Sequence, residues 1–202
     1  MSLEEILNSG ILESYVIGDV TEAEVLVVEK AIKELPEVGR ELTMIEDALE
    51  GYAYEYAKEP DPTIGPMLIA TINYTKRLES GEIPVEVPDL HLGSTVSDYS
   101  QWIDRPDLSE PDTYGGMHGY IIGNTEDKTT LIVWLRDGAP DETHTDEHET
   151  FLIVEGTCNI VVGDKVNSLK AGDVFTIPLH INHRVEVTSQ ERCKVILERK
   201  AA

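Results

Sequence analysis

The first part of this chain lacks the softer metal-binding side chains: it has no histidine before His91 and no cysteine before Cys158. Any helical domain there must therefore hold together without a zinc knot of cysteines and histidines. Only Cys158 and Cys193 are present in the whole sequence, too few for a disulfide scaffold and not in a Cys-x-x-Cys pair. That count fits a reducing compartment, with both thiols expected as small buried residues. Basic residues are scarce, 16 against 39 acidic ones, for a formal net charge of −23. An excess of this sign repels phosphate, so nucleic acid and anionic membrane are excluded as direct partners, whereas a basic protein is compatible. No apolar run approaches the roughly 20 residues of a membrane span. The N-terminal MSLEEILNSG is acidic where a signal peptide is basic and then apolar, so a cytoplasmic protein is expected.

What is present divides into two halves of different period. Residues 1 to 80 follow a helical spacing, and from 112 onward short alternating runs are punctuated by Gly, Asp and Pro. Between them, residues 81–111 read as a linker with a lead-in strand, and GEIPVEVPDLHLGS is its core. Ser2 with Glu5 and Thr21 with Glu24 fit capping boxes, in which hydroxyl and carboxylate satisfy unpaired backbone N–H groups, so helices are expected to start at both. Val38, Leu42, Ile45, Leu49, Tyr52 and Tyr56 follow spacings of four and three, which predicts one apolar stripe on a helix begun near Pro36. A last helix is expected from about Thr63 to Leu78, with Pro66 tolerated in its first turn. Four helices joined by short links result.

In the second half Leu131, Val133 and Leu135 alternate with Ile132, Trp134 and Arg136, and further strands are expected at 149–155, 158–162, 174–177 and 183–188. Gly163-Asp164 and Gly172-Asp173 supply turns. Strands at this spacing predict an all-β sandwich or small barrel. The runs GAPDETHTDEHETFLIVEG and GDVFTIPLHINH carry the chemistry. Glu142 and His144 are two apart and so share one face of an extended strand, Thr145 to His148 lets the chain reverse, and Glu149 begins the returning strand. A later strand, closing at Pro178, delivers His183. Two imidazoles and two carboxylates from these positions suit Fe, Mn, Ni or Zn. The alternative is an inward polar cluster satisfied by hydrogen bonds.

These residues resemble the cupin family, whose first motif has a Gly, a His-x-His pair, a Glu and a later Gly, and whose second has Gly, Pro and a final His. Counted back from Gly156, Glu149 takes the motif glutamate, His144 the second histidine and Glu142 the place of the first, while Gly172, Pro178 and His183 fill the second motif. One histidine of the pair is thus a carboxylate here, and His180 stands where a small residue is usual. The resemblance implies a jelly-roll barrel behind the helices, an α+β chain, and a divalent transition metal held by His144, Glu149, His183 and Glu142. It also implies dimerisation through barrel faces. His180 becomes a candidate acid-base group behind the ligands, His118 could face the barrel interior, and His148 is expected in solvent.

The stretch from Ser9 to Ala53 resembles the N-terminal domain of bacterial anti-sigma factors. It has Leu12-Glu13-Ser14-Tyr15-Val16-Ile17-Gly18, then Thr21 to Glu24, then Pro36-Glu37 before a long helix. A helical domain followed by a cupin is the layout of ChrR-type anti-sigma proteins, although the His-x-x-x-Cys-x-x-Cys of their zinc-binding members is absent. The resemblance implies a transcriptional regulator whose helical domain clamps an extracytoplasmic-function (ECF) sigma factor while the cupin senses a small molecule or oxidant. Residues 1–80 hold 17 acidic and 6 basic residues, a net −11, which complements a basic partner. The rival reading is a metal-dependent dioxygenase or isomerase with a small-molecule substrate in the barrel.

Overall fold

A computed structural model describes residues 2–202, which form two compact units, one running to Glu59 and the other from Pro60 to Ala202. The first unit is helical. α1 (Leu3–Asn8) and α3 (Glu22–Glu34) open on the expected capping boxes: Ser2 and Thr21 accept from the backbone N–H of Glu5 and Glu24, whose carboxylates accept from the cap backbone in return. α2 (Ile11–Ile17) follows α1 after a break that the periodicity does not disclose. Gly10 there adopts a φ of 77°, which glycine enters at no steric cost, so one expected helix becomes two and the region to residue 80 holds five helices rather than four. α4 (Pro36–Glu55) starts with Pro36 in its first turn, where a missing N–H costs nothing.

Ile6, Leu12, Val28, Ala31, Val38 and Leu42 form the core of this unit, with Ile45 at its edge. The stripe on α4 is buried only over its first turns. Leu49, Tyr52 and Tyr56 are exposed, the two tyrosine rings lying 5.0 Å apart, because the three shorter helices are not long enough to cover the whole of α4.

The second unit begins with α5 (Ile64–Glu79), which the helical period alone assigns to the first half. Its inner face, Met67, Ala70 and Tyr74, packs into the β-core, and Arg77 donates to the Ile121 carbonyl of β1 (Met117–Asn124). The boundary between compact units accordingly falls at Glu59 and Pro60, not near residue 80. The strands that follow are β2 (Lys128–Leu135), β3 (Gly138–Glu142), β4 (Glu147–Glu155), β5 (Thr157–Val162), β6 (Lys165–Lys170), β7 (Val174–Thr176), β8 (His183–Val187) and β9 (Cys193–Ala201). They make two antiparallel sheets, β1-β2-β9-β4-β7 and β3-β8-β5-β6. Leu131, Val133, Leu135, Phe151, Ile153, Ile160, Val185, Val195 and Leu197 meet between the sheets.

Residues 81–111 are neither a linker nor do they contain a strand. They lie on the outer face of the five-stranded sheet, with helical turns at Val96–Tyr99, Ser100–Ile103 and Pro106–Leu108. Val87, Leu90, Tyr99, Trp102 and Leu108 bury Ile122, Ile132, Trp134, Leu152 and Ile196 there. This explains why β2 is apolar on both faces: Leu131, Val133 and Leu135 enter one core and Ile132 and Trp134 the other. We predict that Trp102→Ala lowers the unfolding free energy of this unit by about 3 kcal/mol, the cost of removing a buried aromatic. Urea denaturation followed by the fluorescence of Trp134, then the sole tryptophan, measures it; a loss below about 1 kcal/mol would mean that the segment is a tether after all.

Glycine is required at two turns. Gly156 has a φ of 80°, and a Cβ there would stand 2.3 Å from the Arg192 carbonyl oxygen; Gly138 has a φ of 139°, with the Val185 oxygen 1.9 Å from the Cβ position. Among the described residues no helix is long and apolar enough to cross a membrane.

Candidate metal centre

β3 and β8 are paired so that Glu142 lies opposite His183, and β4 and β9 so that Glu149 lies opposite Arg199. His144 sits two residues beyond the end of β3 in an extended loop, and the reversal is tighter than the sequence suggests, spanning Thr145 and Asp146 before β4 begins at Glu147. The His144 carbonyl accepts a 2.8 Å hydrogen bond from the backbone N–H of His180, which fixes the loop. The four expected ligands, Glu142, His144, Glu149 and His183, are thereby brought together, one donor atom of each lying within 4.8 Å of all the others.

Glu149 is the centre of the cluster and is 1% exposed. Its Oε2 is 3.1 Å from His183 Nε2 and 3.3 Å from His144 Nε2; Glu142 oxygens lie 3.7 and 3.8 Å from the same two nitrogens. Ligands about 2.1 Å from a divalent ion stand roughly 3.0–3.5 Å from one another, so these spacings are close to those of a coordination shell. His144 Nε2 is buried without a hydrogen-bond partner, although it faces the Glu149 oxygen. An orphaned imidazole nitrogen aimed at a carboxylate is what a bound cation satisfies. The residues therefore fit a divalent transition metal, which would act as a Lewis acid on an oxygen ligand.

Arg199 and Glu147 complete the site, and no motif signals either of them. The Arg199 guanidinium donates to Glu149 Oε1 at 2.9 Å and to Glu142 Oε2 at 3.2 Å, and lies 3.7 Å from Glu147; Glu147 in turn stands 3.4 Å from His144 Nδ1. A trace of Arg199 does exist in the sequence. Cys193, Val195, Leu197 and Arg199 share one face of β9, so a cation continues an inward apolar row and requires carboxylate partners.

The remaining histidines lie elsewhere. His180 has a φ of 62° and an exposed side chain, so it anchors His144 through its backbone and places no acid-base group behind the ligands. His148 is exposed, as expected. His118 does not face the interior between the sheets; it lies among Tyr114, Tyr120 and Trp134 on the other face of the sheet, and burial lowers its pKa.

Burial on its own would raise the Glu149 pKa, but the adjacent imidazoles of His144 and His183 and the Arg199 charge outweigh it and hold the carboxyl down, from 4.5 to about 2. Burial likewise opposes charge on His183, yet Glu142 and Glu149 raise it from 6.5 to about 9, and Glu149 raises His144 too. The Glu149 contribution to stability is present above pH 4.5 and lost as pH falls toward 2, whereas that of His183 is present below 6.5 and lost as pH rises through 9. Metal-stripped protein should thus gain most from this cluster between pH 4.5 and 6.5. The gap in urea midpoint between wild type and His183→Gln, both metal-free, should narrow on either side; a gap independent of pH would refute this.

Glu142, Glu149 and Arg199 open onto the space between the sheets, which is otherwise walled by Met117, Leu131, Leu135, Phe151 and Leu197. α5 closes it. Thr63, Pro66, Met67 and Ala70 reduce the free volume to about 20 Å³, enough for one water.

Residues 123–197 match the family described as the cupin domain (Cupin_2). The sandwich is a cupin domain. Among solved structures, a cupin-2 domain containing protein from Shewanella frigidimarina is 26% identical over 41% of this chain and 78% of its own, with a TM-score of 0.37. A predicted oxalate decarboxylase from Thermotoga maritima is 19% identical over 44% of this chain and 83% of its own, at a TM-score of 0.41. The Cnp3 cupin domain of Schizosaccharomyces pombe is 15% identical over 44% of this chain and 67% of its own, also at 0.41. No curated protein matches the chain. The cupin match begins within β1, so the helices to residue 79 and the covering segment 81–111 lie outside it.

Proposed function

We propose that this protein is a cytoplasmic transcriptional regulator of the anti-sigma type, in which the helical unit holds an ECF-type sigma factor and the cupin domain binds a metal and responds to a small molecule or oxidant. The observation that carries the reading is the unfinished apolar stripe of α4. Leu49, Tyr52 and Tyr56 continue the buried row of Val38 and Leu42 into solvent, with Leu26 and Met44 also exposed in the same unit. Around them residues 1–59 carry 15 acidic and 4 basic residues, a net −11. An apolar face in an acidic field suits a basic partner that lays a helix against it, steered by charge and held by the aromatic anchors. Dimerisation through the cupin domain belongs to the same proposal.

The route from site to helices in this reading is α5. It follows α4 in the chain after a short connection, and its inner side chains occupy the space next to Glu142 and Glu149. A ligand entering that space must displace Met67, which moves α5 and shifts the population of partner-holding conformations. The enzyme reading requires the same displacement before any substrate fits, and about 20 Å³ admits none of organic size.

Fluorescence anisotropy with labelled ECF-type sigma factors of the source organism tests the proposal. A complex is expected with wild type, weakened at least roughly 30-fold by Tyr52→Asp, since a buried aromatic anchor contributes about 2 kcal/mol or more. Failure of every sigma factor to bind, or binding that Tyr52→Asp leaves unchanged, would overturn the assignment.

A further inference from the structure

The two cysteines form a site of their own, away from the metal centre. Cys158 is the second residue of β5 and Cys193 the first of β9, so they belong to different sheets, and both face the core between them, 1% and 0% exposed. Both side chains enter the same apolar cluster, where each thiol perturbs the ionisation of the other. The backbone brings them together: Gly156, two residues before Cys158, approaches so closely that a Cβ on it would stand 3.1 Å from Cys193 Cα. The pair sits at the end of the sandwich opposite the metal centre. Cys158 is opposite Val187 at the far end of β8 from His183, and Cys193 opens the strand that closes with Arg199 and Ala201.

From this geometry we propose that Cys158 and Cys193 are a modification site, closing reversibly into a disulfide that ties one sheet of the cupin domain to the other when a peroxide reaches it. The Cys158 thiolate attacks one peroxide oxygen, giving a sulfenic acid and releasing hydroxide; the Cys193 sulfur then displaces that hydroxyl. Two S–H bonds break and one S–S bond forms, and the two electrons and two protons released convert hydrogen peroxide to two waters. The neighbouring Cys193 thiol lowers the pKa of Cys158, favouring its thiolate, while Cys158 and burial raise that of Cys193 and keep it a thiol. Access comes from the turns beside the pair. Glu155 is exposed before Gly156, and the chain bends through Ser189, Gln190 and Glu191 shortly before Cys193. Opening of such turns requires far less free energy than global unfolding. The proposal uses neither the metal nor a protein partner, so it stands or falls separately from the regulatory reading.

The whole chain is exposed to hydrogen peroxide under native conditions, quenched, denatured and alkylated, beside a cysteine peptide as control. We expect both thiols to become unreactive together, a tryptic peptide pair joined through Cys158 and Cys193 with the loss of two hydrogens, and full reversal by dithiothreitol. The oxidised chain should unfold at a temperature higher by roughly 5–10 °C, as a link across the two sheets restricts the unfolded chain. Cys158→Ser and Cys193→Ser should show neither the linked pair nor the shift. Thiols that stay alkylatable while the control peptide is consumed would overturn the proposal, as would links found only between chains, or single variants whose remaining thiol oxidises as fast as in wild type.

Discussion

We expect His183→Ala to take the protein from one bound metal ion per chain to none, and Glu149→Gln to do the same. His183 Nε2 and Glu149 Oε2 are 3.1 Å apart in the buried centre of the cluster, and each is essential to a shell that has only four protein donors among the described residues. Neither alanine nor a neutral amide replaces them, because a divalent ion in a buried site needs deprotonated donors of the right number and reach. Glu142 is the most exposed of the four, and Glu142→Gln should weaken binding while leaving some occupancy. Elemental analysis of each purified variant, after loading with Zn or Mn and removal of free ion, measures the effect. Unchanged metal content in His183→Ala and Glu149→Gln would rule out this centre. Absence of metal from wild type as well would leave the cluster as a hydrogen-bonded polar core.

Arg199→Met should have its largest effect on the metal-free protein. Among the described residues, its guanidinium is the one positive charge beside Glu142, Glu147 and Glu149 that no proton equilibrium can remove. Taking it away leaves the buried Glu149 carboxylate to the two histidines alone. Breaking a buried pair from one side costs about 3–5 kcal/mol, a drop of roughly 6–20 °C in unfolding temperature for a unit of this size. A divalent ion supplies compensating charge, so the loss should shrink when metal is bound. Thermal unfolding of wild type and Arg199→Met, each with and without metal, gives the four values needed. A drop that is equal in both states would show that Arg199 is not coupled to the ligands; a metal affinity lower by roughly 10–100-fold would show that it also orients them.

Trp102 belongs with these residues as a case where distance along the chain conceals a role. Residues 81–111 read as a linker because prolines and charges break every period, yet covering a sheet face needs no regular element, only apolar side chains at the right places. α5 groups with the preceding helices for a related reason. A helical period reports that a face is buried, not what buries it, and here Met67, Ala70 and Tyr74 face strands.

Local features were legible in the amino-acid sequence. Hydroxyl and carboxylate three residues apart fix the starts of α1 and α3, Pro36 fixes that of α4, and glycine and proline spacing with alternation marks the cupin strands. The four candidate ligands were legible too, since Glu142 and His144 lie on one extended segment and the motif spacing carries Glu149 and His183. Whatever depends on partners far along the chain emerged only from the folded arrangement: that Arg199 and Glu147 join the ligands, that α5 closes the space beside them, that Leu49 and Tyr52 remain in solvent, and that Cys158 meets Cys193. Each of these rests on the register of strands or the length of neighbouring helices, and no spacing within a single segment encodes either.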